Sequence, residues 1–170
     1  MNSTTGILGK FIKLTTNVGL FLASISTLLM TFIIFLEIIS RSVFNFSLLI
    51  ADEMAGYLNI AIVFLGLAYT FKTGGFIKIT VIYDFFSSKV KFFFDICSMI
   101  LAFLYGTVIF YIISKMLYSS YINETTSLFI SETPLYIPQT FMVVGVAFLL
   151  MQIIHGFNDF FSNEKEKGSE

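Results

Sequence analysis

Four long apolar stretches, parted by short polar breaks, set the pattern of this chain. Leu14 to Leu36 runs without a charge, and Glu37 and Arg41 appear only near the far end of the same run, which closes at about Phe44. The second run covers Asp52 to Phe71 and carries no charge after Glu53. The third, Phe92 to about Tyr118, has Asp95 near its start and Lys115 near its end. The fourth, Pro138 to Phe157, opens on a proline, whose missing N–H is harmless in a first helical turn. About 20 residues rising ~1.5 Å each cross the ~30 Å of hydrocarbon in a bilayer. Lipid offers exposed backbone groups no partner, and four segments cannot close a barrel, so each run must be helical. The pattern predicts an all-α integral membrane protein with four transmembrane helices, at 14–44, 52–71, 92–118 and 138–157. They form one domain, 1–161, followed by a polar tail, 162–170.

The breaks between the runs carry their own pattern. Gly74-Gly75 end the second run. In the segment that follows, Phe76 to Val90, Ile79, Ile82, Tyr83 and Phe86 share one side of a helical wheel, with Thr80, Asp84 and Ser87 opposite. That amphipathic arrangement predicts a helix lying in the membrane interface between the second and third spans. Ile77–Val81 alternates as a short strand would, but no partner strand is available to it. A continuous helix from Lys89 to Tyr121 would reach about 50 Å and has to tilt or project from the lipid. Ser119 to Ile137 reads as a loop, and Ser162 to Glu170, alternating acids and lysines, as a disordered solvated end. The first run is longer than the apolar core of a secretory leader and reads as an uncleaved span.

Lysine and arginine orient the bundle. The side with both termini and the second loop collects Lys10, Lys13, Lys72, Lys78, Lys89, Lys91, Lys165 and Lys167, against Arg41 and Lys115 on the other. Positive residues accumulate in the cytoplasm, so both ends are expected inside. Composition agrees with a membrane solvent: only 12% of residues are charged, against about a quarter in soluble domains. A net charge of −1 without a basic block gives no footprint for nucleic acid. One cysteine, Cys97, and one histidine, His155, provide neither a metal cluster nor the paired ligands of a membrane haem. No phosphate-binding loop or nucleophile motif is present, so the chain reads as a non-enzyme without a cofactor of its own.

Charges within or beside the spans are expensive and need partners. Glu37 and Arg41, four residues apart, share a helix face as an ion pair would. Asp52 and Glu53 open the second helix, where the positive end of the helix dipole favours acids, and lie on the same side of the membrane as Arg41. Two readings fit: an Arg41-centred network of Glu37, Asp52 and Glu53 that fixes the turn or docks a partner, or separate capping and headgroup contacts.

These same residues fall in a known order. Arg41, then Phe44, the acidic pair Asp52-Glu53, Phe64-Leu65-Gly66 and the basic glycine-containing turn Lys72 to Gly75 resemble the core signature of the DctQ-like small subunits of tripartite ATP-independent periplasmic (TRAP) transporters. Thr133 to Gln152, with Pro138 and Gly145, is similar to that family's last helix. The chain departs from the pattern at Asp52, often Glu in the family, and at Leu49 or Ile50, where a Trp is common. The resemblance implies a bacterial inner-membrane subunit that braces a large multi-spanning partner. That partner would hold the sodium and substrate sites, and a periplasmic binding protein would deliver carboxylate-bearing solutes such as dicarboxylates or sialic acid. On this reading Arg41, Asp52, Glu53 and Glu37 serve the subunit interface, and Glu124 and Glu132 in the third loop contact the binding protein. Two rival functions belong to other classes: a self-sufficient proton-coupled exporter with Glu37 as its coupling acid, and the membrane anchor of a redox enzyme, for which a single histidine is a poor basis.

Overall fold

In the computed structural model of the chain, which describes residues 7–74 and 87–167, four long helices are present. They are α1 (Ile7–Phe44), α2 (Ala51–Lys72), α3 (Ser88–Ile122) and α4 (Tyr136–Lys167). All four are long and apolar enough to cross a membrane. Each expected span lies inside one of them; α2 exceeds its span by one residue at each end, and the other three extend further. The fourth continues to Lys167, so residues 162–167, expected as a disordered end, are helical in backbone. The expected interfacial helix at Phe76–Val90 falls almost wholly outside the described residues. Of the expected third loop, 119–122 belong to α3 and Tyr136 and Ile137 to α4.

The helices differ in length in a way that frames the bundle. α2 has 22 residues, about 33 Å, close to the hydrocarbon thickness itself. α1, α3 and α4 have 38, 35 and 32 residues and exceed it. The α1–α2 turn and the α3–α4 connection lie at one end of the bundle, the loop end; the start of α1 and the end of α4 lie at the other, the terminal end.

α2 sits between α1 and α4, and α3 packs chiefly on α4. Two glycines permit the central contact. A Cβ on Gly19 of α1 would come 2.8 Å from the Leu65 carbonyl oxygen, and one on Gly145 of α4 would overlap the Phe64 carbonyl. The Phe64-Leu65 backbone of α2 is thus gripped from both sides, the small-residue packing that membrane helices use where no hydrophobic force drives them together. The face of α1 turned inward repeats this logic with Thr16, Gly19, Ala23 and Ser26. Thr16 is buried, and its hydroxyl donates to the Gln152 amide oxygen of α4 at 3.1 Å. The outward face of α1 carries Leu14, Phe21, Leu28 and Phe35, all more than half exposed. Between α2 and α3, over α4, lies an open apolar groove of about 680 Å³ whose terminal-end mouth includes Asp95 and Ser98.

Candidate subunit-contact site at the loop end

The polar residues of the loop end form two clusters. The first is built on Glu37, which is buried although it sits two turns from the end of α1. Its Oε1 accepts from Arg41 Nε and from Ser47 Oγ (2.8 Å), and its Oε2 accepts from the Leu48 backbone N–H (2.8 Å). One carboxylate therefore ties the last turns of α1 to the chain that reverses into α2. The reversal is tight: Asn45 and Leu49 both have left-handed backbone, at φ 49° and 40°. A leucine is a costly residue there, having neither the freedom of glycine nor the local hydrogen bonds of asparagine. Arg41 reaches from Glu37 to Asp52, with Nη2 3.7 Å from Oδ2. Its side chain is 55% exposed and that of Asp52 83%, so this pair faces outward. Together with Ile34, Ile38 and Ala51 they rim a small cleft of about 200 Å³.

The second cluster is built on Glu53, also buried. Tyr57, one turn along α2, donates its hydroxyl to Oε1 at 2.6 Å. Ser131, from the α3–α4 connection, donates to Oε2 at 2.5 Å. Ser131 has one proton and spends it on the carboxylate, so the 2.7 Å contact with Thr133 is a hydrogen bond donated by Thr133. The connection is a short hairpin: Ser127 N–H donates to the Thr133 carbonyl, Leu135 N–H to Thr125, and Thr126 bridges Pro134. Glu124 and Glu132 are exposed at its corners, both with left-handed backbone.

Of the two readings of these charges, the Arg41-centred network takes in Glu37 and Asp52, and Glu53 belongs to a separate cluster. The ion pairs of Arg41 among the described residues are with Glu37 and Asp52, while Glu53 turns to the hairpin. The cause is helical geometry: adjacent residues point about 100° apart at 3.6 residues per turn, so Asp52 and Glu53 cannot both face α1. Ser47, Tyr57, Ser131 and Thr133 carry no charge and were not singled out by sequence; only Tyr57, four residues after Glu53, had a spacing that could have marked it. His155, at the terminal end, pairs instead within its own helix with Asp159, Nδ1 to Oδ2 at 2.9 Å.

The family model described as tripartite ATP-independent periplasmic transporters, DctQ component, matches residues 30–161, a span that includes both clusters and the hairpin. No curated protein matches the chain. The family match covers well over half of the sequence, and the four membrane-length helices agree with it. The chain belongs to the DctQ family, the small membrane component of the tripartite ATP-independent periplasmic transporters.

Proposed function

We propose that this subunit is a rigid brace for the large membrane subunit of a sodium-coupled importer of carboxylate-bearing solutes, with the Arg41–Asp52 pair as the polar anchor of their interface. The observation that carries this reading is the contrast between the two halves of the loop-end chemistry. Glu37 and Glu53 are buried and satisfied from within the chain, whereas Arg41 and Asp52 hold each other in place and remain exposed. A guanidinium has five N–H donors, and such a pre-oriented fork suits a partner's carboxylate or backbone carbonyls. The exposed apolar stripe of α1 runs toward Arg41 and offers the partner's helices a contiguous surface. Proton-coupled export through Glu37 is disfavoured by the three hydrogen bonds its carboxylate accepts and by its place near the loop end. With both termini in the cytoplasm, the loop end faces the periplasm. Glu124 and Glu132 then point toward an arriving binding protein.

The test is co-purification of tagged subunit with its large partner, followed by uptake in proteoliposomes. Arg41→Ala and Asp52→Ala are expected to lower recovery of the partner several-fold. Glu124→Lys with Glu132→Lys should leave recovery unchanged and slow uptake. Full recovery with Arg41→Ala would remove the anchor, and unaltered uptake after the double reversal would remove the docking role.

A further inference from the structure

Three consecutive large apolar residues, Leu128, Phe129 and Ile130, form the tip of the α3–α4 hairpin, and nothing among the described residues covers them: they are 104%, 62% and 71% exposed. A polar hairpin with an apolar tip is a costly surface to leave in water. The geometry points to a lipid surface as the occupant: we propose that this tip lies within the interfacial layer of the bilayer at the loop end and pins the hairpin there. This inference rests on the chain spanning a membrane and not on the identity of its partner.

The level of the tip along the bundle is decisive. α2 is matched to the hydrocarbon, with Asp52-Glu53 in its first turn and Lys72 in its last, so its first turn marks the hydrocarbon edge. The Ser131–Glu53 hydrogen bond fixes the hairpin to that turn. Beyond it, Glu132 N–H donates to the Phe129 carbonyl at 3.1 Å, closing a turn whose ends lie within about 7 Å. The tip therefore cannot stand far from the hydrocarbon edge, and the headgroup layer is itself roughly 5–7 Å thick on each side. Two further features mark the same level. Tyr121 and Tyr136, at the ends of α3 and α4 flanking the hairpin, meet edge to face at 5.7 Å, and tyrosines gather at the membrane–water boundary. In the α1–α2 turn at the same end of the bundle, Phe46 and Leu49 are also about 60% exposed. The nearby acids Glu124 and Glu132 repel anionic headgroups, so insertion rests on apolar burial and not on lipid charge.

The sequence contains no tryptophan, so Phe129→Trp in the full chain is a lone reporter. In phosphatidylcholine vesicles its emission should be blue-shifted, quenched by acyl-brominated phosphatidylcholine and shielded from iodide. Replacing part of the lipid with phosphatidylglycerol should strengthen none of these signals, and a gain in insertion with anionic lipid would overturn the apolar basis of the proposal. Leu128→Trp supplies a second reporter should the first disturb the turn. Red-shifted emission open to iodide would overturn the proposal by placing the tip in water. Blue-shifted emission untouched by brominated lipid would overturn it by placing the tip against protein. Lipid quenching that vanished once the large subunit was co-reconstituted would overturn it as well.

Discussion

Glu37 ties α1 to the α1–α2 turn, because both its oxygens are engaged by groups from the two segments. Arg41 belongs to its own helix, whereas Ser47 and the Leu48 N–H belong to the turn. Glu37→Gln keeps the shape but replaces one acceptor oxygen by an N–H₂ that faces donors, so at least one buried contact becomes repulsive. The thermal midpoint of the purified subunit in detergent should fall clearly further for Glu37→Gln than for Glu124→Gln on the exposed hairpin corner. Equal midpoints would mean that the turn holds without the carboxylate. The sequence revealed the Glu37–Arg41 pair through its four-residue spacing. It could not reveal Ser131 as the partner of Glu53, since 78 residues separate them and a serine bears no charge or period to flag it.

The helices themselves were legible because lipid imposes so few solutions. A charge-free run of membrane length must be helical, and the four spans followed from that rule alone. Their ends were harder to read, because helix continues into polar sequence wherever water can solvate it. That is why α4 runs through the lysines and acids expected as an irregular tail. Which helix is central also lay hidden, since it depends on two glycines, far apart in sequence, meeting the same stretch of α2. Gly145→Ala should force α2 and α4 apart at an overpacking cost of about 1–3 kcal/mol, whereas Gly66→Ala, with open space around it, should be near neutral. Thermal unfolding of both variants in one detergent checks the contrast. Equal stability would mean that the α2–α4 contact is not gripped at Gly145.

For the molecule as a whole, the chain is a four-helix membrane subunit whose two buried acid clusters lie at one end. α1 and α4 pack closely on α2 and α3 packs on α4, yet long apolar faces remain on α1 and α3, more than this chain buries for itself. A bilayer covers such faces, and so does a larger membrane partner. The family works with a large membrane subunit, and on the proposed reading the exposed Arg41–Asp52 pair is where that subunit is oriented. The fold class and the family signature were both readable from sequence, because they rest on span length and on short motifs. The division of the acids into buried organisers and exposed contacts was not, because it is set by the angle between adjacent residues on α2.

The most direct test of the brace role is sodium-driven uptake of a carboxylate solute into proteoliposomes containing the large subunit and the binding protein, with and without this chain. Uptake is expected only when all three proteins are present, and none from this chain alone. Full uptake without it, or transport by this chain on its own, would contradict that role.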